Sequence, residues 1–556
     1  MITIIVASLL LIAVTPPLGA YMYRVYTSEK IGRLEGLVYK ATGINPNTDQ
    51  SWRRYASSVL WFSVVSMLFI YLIMRTQNHL PFNPEGFGSV NPWVSINTAA
   101  SFMTNTNWQA YGGESTMSYL TQMLALTFQN FLSAAVGMSV AIALIRGFTS
   151  REKEGLGNFW RDTVRGVIYI LFPLAIIVGI VLMSQGITQT LGHSLVVHGI
   201  QGFKQIIARG PVASQIAIKQ LGTNGGGFYN MNSAAPFESS TPISNFIELF
   251  AILAIPAAIT YTFGKMVGNV KQGWVLFAAM WILMVVGVVM TTPGELHATP
   301  AMQAAGISAN QPNMEGKEMR VGPYESSLWA VWTTDASNGS VNSMHDSYQA
   351  LGMLAPMFNI AVGEVIFGGV GSGLYGMLFF VIVAVFIGGL MVGRTPEYLG
   401  KKVKARQVKI VVVGIVLPFL VCLGLTAVAI LIPQGLAGRE NLGPHGFSEI
   451  FYAYISQMGN NGSALAGLTV NTPFYTVTGA FDMLVCRFVP ILAALALGGS
   501  IAVEKIVPFT AGTLRTDTRL FTGLLVGVVV IIGALTFLPG LALGPIVEHL
   551  MHGRLF

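Results

Sequence analysis

Ten mostly apolar stretches of 18 or more residues run from one end of the chain to the other. They lie near 3–23, 55–75, 117–145, 166–184, 244–264, 274–291, 352–392, 410–433, 476–501 and 520–545. Each is long enough to cross roughly 30 Å of hydrocarbon. Inside lipid every backbone polar group must be satisfied internally, so these stretches have to be helices. The expected fold class is therefore an all-α polytopic membrane protein. Composition agrees: 53% of the 556 residues are hydrophobic and only 10% are charged, where a soluble chain carries about a quarter.

Charge distribution sets the expected orientation. With the N-terminus outside, the inner loops are 24–54, 146–165, 265–273, 393–409 and 502–519, and they hold 22 of the 31 Lys and Arg residues. Basic residues concentrate on the inner side of membrane proteins, so the net charge of +7 needs no nucleic-acid partner; the partner it implies is the bilayer. The first apolar stretch has no Lys or Arg before Arg24 and no small-x-small cleavage site, so it reads as a retained helix rather than a signal peptide. Cys422 and Cys486 both lie in apolar runs, and no histidines stand in H-x-x-x-H spacing, so neither a disulfide framework nor a metal site is expected.

Four outer connections share an unusual design: a short apolar stretch, then small polar residues, then the next full span. The four tails are Thr104-Asn105-Thr106-Asn107, Thr223-Asn224-Gly225-Gly226, Ser337-Asn338-Gly339-Ser340 and Asn460-Asn461-Gly462-Ser463. Aligned on Asn105, Asn224, Asn338 and Asn461, the intervals are 119, 114 and 123 residues. A period this regular marks an internal repeat. The expected units are 55–145 with loop 104–109, 166–264 with loop 222–228, 274–392 with loop 334–340, and 410–501 with loop 459–464. Segments 1–54 and 502–556 add the first and last helices.

Non-helical backbone at membrane depth survives only where protein buries it or water lines it. Four copies suggest a pseudo-fourfold pore with the tails meeting on its axis, each short helix aiming its negative dipole end at a cation. Glycine permits the backbone angles that turn carbonyls inward, and rings of carbonyls replace the water shell in potassium filters. Neutral oxygens suit a weakly hydrated monovalent cation better than Mg²⁺ or Ca²⁺. Read singly, tails such as TNGGG and NNGS are ordinary turns at helix ends, Asn-Gly being a strong turn signal; four evenly spaced copies argue for the filter. In this alignment Thr106 stands where the other tails have glycine, so the first strand is expected to offer fewer carbonyls. Asp335, two residues before Ser337, is a candidate fixed negative charge.

Gly371-Ser372-Gly373-Leu374-Tyr375-Gly376 matches G-x-G-x-x-G, but it lies in an apolar run rather than after a strand, so a dinucleotide site is rejected. That run is too long for one crossing, and the glycines read as a break in the seventh span. The break is either a surface loop or a gate beneath the tails. Glu364 beside it and Arg487 in the ninth span are ionisable residues at membrane depth, which are functional candidates by default. Arg487 is expected to pair with Asp482 or Glu364, or to hold neighbouring carbonyls, in either case supporting the filter. Asp346, after the third tail, is expected to cap a helix start.

The strings TNTNWQ (104–109), GTNGGGF (222–228), NMEGKE (313–318), MHDS (344–347), GEVIFGGVGSGLYG (363–376), GRTPEYLGKK (393–402) and LGPHGFSE (442–449) together resemble the family of potassium-binding subunits of the bacterial Kdp potassium pump (KdpA), in order along the whole chain. The resemblance implies a K⁺ transporter fold of four helix–pore helix–filter–helix units, with K⁺ held at the four tails and Gln109 supporting the filter. It links Glu364, Gly369, Gly371, Gly373 and Arg394 to an exit route. It implies a P-type ATPase partner (KdpB-like) that uses the ATP, KdpC-like and small KdpF-like subunits, and residence in the bacterial inner membrane. Asp335 departs from the small uncharged residue expected there. The chain has no Walker motif and no Asp-Lys-Thr-Gly phosphorylation motif, so ATP-driven transport has to borrow its catalysis, and no catalytic residue or bound cofactor is expected. The runner-up is a stand-alone gated K⁺ channel or symporter; an intramembrane lipid enzyme is a remote third.

Overall fold

The computed structural model describes residues 2–391, 393, 395–508 and 513–551. Ten helices among the described residues are long and apolar enough to span a bilayer, close to the positions that hydropathy gives. Several extend past the apolar core by a turn or more, as Phe159–Ser184 does where 166–184 was expected. The extension is polar and buried: Arg165 bonds the fully buried Glu35 through Nε at 2.8 Å. Two small antiparallel hairpins, 195–207 and 397–402, are the only named sheets among the described residues.

Four shorter helices dip in from the tail side: Pro92–Met103, Val212–Leu221, Gly322–Asp335 and Gly443–Met458. All are buried over their last turn. Each ends at a tail because the backbone then turns left-handed. The expected run 352–392 is two helices, Ala350–Ala361 and Ser372–Met391, joined by a buried ten-residue loop. The surface-loop reading of the glycine break is therefore wrong. Repeated glycines let this loop pack backbone on backbone: a Cβ on Gly373 would lie 1.6 Å from the Phe367 carbonyl, and one on Gly371 would lie 2.2 Å from that of Gly137.

The spanning helices Phe128–Thr149 and Pro473–Ala502 touch through glycine, a Cβ on Gly147 falling 2.5 Å from the Gly498 carbonyl oxygen. Buried Lys401 ties the same ends, its Nζ donating to the carbonyls of Ile501 (2.8 Å) and Gly147 (3.2 Å). These carbonyls lie at helix C-termini, where intrahelical partners run out and a cation is favoured. Gly147→Val is expected to push the helices apart at a cost of about 1–3 kcal/mol or more. The thermal midpoint of detergent-solubilised protein should fall, and an unchanged midpoint would refute the close contact.

Candidate functional site

The four tails share one backbone design. Positive φ occurs at Asn105 (69°) and Asn107 (51°), Thr223 (49°) and Gly225 (86°), Ser337 (47°) and Gly339 (86°), and Asn460 (46°) and Gly462 (100°). The residues between them, Thr106, Asn224, Asn338 and Asn461, are not left-handed. Alternating hand leans successive carbonyls to one side, whereas a β-strand alternates them. This corrects the register of the first tail: Thr106, not Asn105, is equivalent to the central Asn of the others. Asn107, not Thr106, stands at the glycine position. Asparagine tolerates the left-handed region better than most residues, so the first strand keeps the shared geometry without a glycine.

Hydrogen bonds repeat the same register. The amides of Thr106, Asn224, Asn338 and Asn461 donate to the carbonyls of Ser101 (2.9 Å), Lys219 (2.8 Å), Thr333 (2.9 Å) and Ser456 (2.8 Å). The next amide in each tail turns back to the same helix residue, to its carbonyl at Ser101 and Lys219 and to its hydroxyl at Thr333 and Ser456. With the N–H groups committed to the helix behind, the carbonyls face the other way. Among the described residues nothing donates to the carbonyl oxygens of Thr106, Asn224, Asn338 or Asn461.

The tails converge in cyclic order. A Cβ on Gly225 would fall 1.6 Å from the Asn338 oxygen, one on Gly339 would fall 2.0 Å from that of Asn461, and one on Gly462 would fall 2.2 Å from that of Thr106. A Cβ on Gly226 would sit 2.9 Å from the Asn107 Cβ, which closes the ring. Side chains staple neighbours: Asn338 and Asn461 Nδ2 donate to the Lys219 (3.1 Å) and Thr333 (2.7 Å) carbonyls of the preceding short helices. Gln109 holds Gly227 from both sides, Nε2 to its carbonyl at 3.0 Å and Oε1 from its amide at 3.0 Å.

On one side of the ring lies a cavity of about 910 Å³, lined by Asn107, Gln109, Gly225, Gly339 and Gly462 among others. On the other is a cavity of about 60 Å³ that meets Met458, Asn460, Glu364, Ser372, Tyr375 and Arg487. Arg487 pairs with Glu364, Nη1 to Oε1 at 2.9 Å, and not with Asp482, whose Oδ1 accepts from the Cys486 thiol at 3.2 Å. The buried loop after Ala361 crosses just beneath the tails. Its Val370 amide donates to Thr223 Oγ1 at 2.9 Å, and its Gly368 amide to the Asp335 carbonyl at 2.9 Å. Gly369 meets Ser372 and Glu364, a Cβ there falling 2.5 Å from Ser372 Oγ and 2.7 Å from Glu364 Oε2. Asp335 is buried with neither carboxylate oxygen bonded, and it lines neither cavity. Arg394 lies outside the described residues.

A description of the potassium-transporting ATPase A subunit, KdpA, matches residues 5–550. The chain belongs to the KdpA family. A relative from Granulibacter bethesdensis, named potassium-transporting ATPase potassium-binding subunit, is 52% identical over 563 residues, covering 100% of this chain and 99% of the relative. One of the same name from Methylobacterium nodulans is 54% identical, covering 97% and 95%. Among solved structures, the potassium transporter TrkH from Vibrio parahaemolyticus matches with a TM-score of 0.52 at 14% identity, over 88% of this chain and 96% of that one. At that identity the likeness speaks for the fold of this KdpA-family member alone. The stand-alone channel or symporter is not the favoured alternative.

Two arrangements escaped the sequence reading. Fully buried Lys219 and Glu238 form an ion pair behind the second tail; the signal was a lysine inside the apolar run ASQIAIKQL. Near the large cavity, His445 joins three distant segments, Nε2 to Asp346 at 3.2 Å and Nδ1 to Glu548 at 2.9 Å. Asp346 also accepts from the Gly467 amide at 3.2 Å, so it clamps loops and does not cap the helix after it. Burial alone would lower the His445 pKa, but its bonds to Asp346 and Glu548 outweigh that and push it up to about 10. A raised folded-state pKa adds stability that is complete below the unfolded value near 6.5 and is lost as pH climbs through the folded one. The thermal midpoint should therefore decline as pH rises from about 7 toward 10, and His445→Gln should flatten that decline. An unchanged slope would refute the clamp.

Proposed function

We propose that this chain is the potassium-selecting subunit of an ATP-driven K⁺ uptake pump. The observation that carries the reading is the ring of unbonded carbonyls on Thr106, Asn224, Asn338 and Asn461, set between a wide cavity and a narrow one. Four strands of peptide oxygen replace the water around K⁺, Thr104, Asn105, Thr223, Ser337 and Asn460 starting the strands, Gly225, Gly226, Gly339 and Gly462 letting neighbouring strands close on one another, and Asn107 holding the equivalent place in the first strand. Gln109 supports the second strand. Four helix–short helix–tail–helix units surround the axis, with the first and last helices outside them.

Below the ring, Glu364 and Arg487 together present little net charge to a passing cation, and Gly369, Gly371 and Gly373 let the loop lie against the strands. That loop and the 60 Å³ cavity mark the exit; for Arg394 the only support for a part in the same route is the family resemblance of the string GRTPEYLGKK. The relatives' name, a subunit of a potassium-transporting ATPase, supports a KdpB-like P-type ATPase partner that hydrolyses the ATP. KdpC-like and KdpF-like subunits complete the assembly in the inner membrane, with the N-terminus outside. No residue here is catalytic.

Crystals or particles of the complex prepared in Tl⁺ or Rb⁺ are expected to show density inside the ring, and density only elsewhere would refute the reading. Gly462→Ala strains a φ of 100° and places a methyl 2.2 Å from the Thr106 carbonyl. It is expected to weaken discrimination of K⁺ over Na⁺ by tenfold or more, about 1.4 kcal/mol. Measured as the K⁺ dependence of ATP hydrolysis with Na⁺ as competitor, unchanged discrimination in an assembled complex would count against the ring.

A further inference from the structure

The four strands are not held in the same way. The third and fourth clasp themselves: Asn338 Oδ1 accepts from the Ser340 amide at 3.0 Å, and Asn461 Oδ1 accepts from the Ser463 amide at 2.9 Å. Both serine hydroxyls donate to the same oxygens. The second strand has Gly226 where these have serine, and its Asn224 makes no such clasp. Asn224 Nδ2 instead bonds the Asn105 side chain and Ser133 Oγ, and its Oδ1 has no partner.

The first strand explains the glycine. Asn107 carries a side chain where the other three strands have none, and it bonds Asn130 Oδ1 at 2.8 Å. A Cβ on Gly226 would fall 2.9 Å from the Asn107 Cβ and 3.0 Å from its Nδ2. A serine cannot fit there, so the clasp is lost. What remains is a run of three glycines, the least restrained backbone available, at a place where tenths of an ångström matter.

The short helix behind the second strand differs as well. Positions 101, 333 and 456 are Ser, Thr and Ser, whereas position 219 is lysine. Its ammonium donates to Glu238 Oε2 with both side chains fully buried. The other oxygen, Glu238 Oε1, accepts from the Tyr229 amide at 2.8 Å, and a Cβ on Gly227 would fall 2.5 Å from it. The carboxylate thus presses on the strand at Gly227, the last of the three glycines, and holds the amide of Tyr229 just beyond it, while the lysine anchors it to the helix.

We propose that the buried Lys219–Glu238 pair is the positioning device of the second strand, replacing the Asn–Ser clasp of the third and fourth strands and setting cation discrimination there. This rests on reading the four tails as the K⁺ site. Gln109 grips Gly227 from the first unit and the pair grips from behind, so the strand is fixed from two sides. Being a pair, it holds the strand without leaving a lone charge beside the ion.

The test uses the complete ATPase complex with its partner subunits. Removing one member strands a buried charge and threatens folding, whereas removing both is tolerated far better. The double variant Lys219→Met with Glu238→Gln is therefore the main probe. Glu238→Asp, which keeps both charges and shortens the reach, is the second. In assembled complexes both are expected to raise the K⁺ concentration for half-maximal ATP hydrolysis, tenfold or more for the double and less for the aspartate. The relative response to Rb⁺ and Na⁺ should change, with turnover at saturating K⁺ within about twofold.

A purely structural pair would lower the yield of complex and leave K⁺ affinity and ion preference at wild-type values. That result, in either variant that assembles, overturns the proposal. Should the double variant not assemble, the aspartate decides alone. Gly462→Ala runs in parallel. If it alters discrimination and the pair variants do not, this inference fails and the ring stands; if neither does, the ring reading itself has failed.

Discussion

Each tail depends on where its amides go. Two successive N–H groups in every tail turn back onto one residue of the short helix behind it. A peptide has its donor and acceptor on opposite sides, so committing the donors to the helix points the oxygens the other way. The left-handed residues follow from that geometry, including the β-branched Thr223 at a φ of 49°, a strained angle that only a fully packed surround sustains. The surround is provided by the near-complete burial of all four tails.

Much of this was legible in the chain. Ten apolar runs gave the helices because length and lipid leave no other option. Four Asn-containing tails gave the ring because polar backbone at that depth needs a shared reason. The misreading at the first tail has a specific cause: Asn105 and Asn107 flank Thr106, and aligning on asparagine picked the wrong one. Only backbone hand and the amide to Ser101 reveal that Thr106 is the central residue. Arg487 had two acidic candidates, Asp482 one turn away in its own helix and Glu364 across the fold, and the distant one won because the loop after Ala361 brings it there. The pairs Lys219–Glu238 and His445–Glu548 were hidden because spacing along a chain does not report which loops fold back.

The interior is polar as well as apolar. Lys219, Glu238, Glu248, Asp335, Arg487 and Lys401 are all nearly or fully buried. Most have charged or hydrogen-bonded partners, as buried charges require; Asp335, with neither oxygen bonded, does not, and nothing around it explains the exception. Glycine does complementary work where backbone meets backbone, at Gly147 against Gly498 and at Gly371 against Gly137. Close backbone approach and buried polar ties together fix one arrangement of helices that greasy surfaces alone would leave free to slide.

All four oxygen strands reside in a single polypeptide, and they are chemically unequal: one carries Asn107, one three glycines, and two the sequence Asn-Gly-Ser. In a channel assembled from identical copies, any substitution is imposed on every quadrant at once. Here a quadrant can be edited alone, so, if the proposed K⁺ site is right, the weight that each side of the coordination shell bears becomes separately measurable.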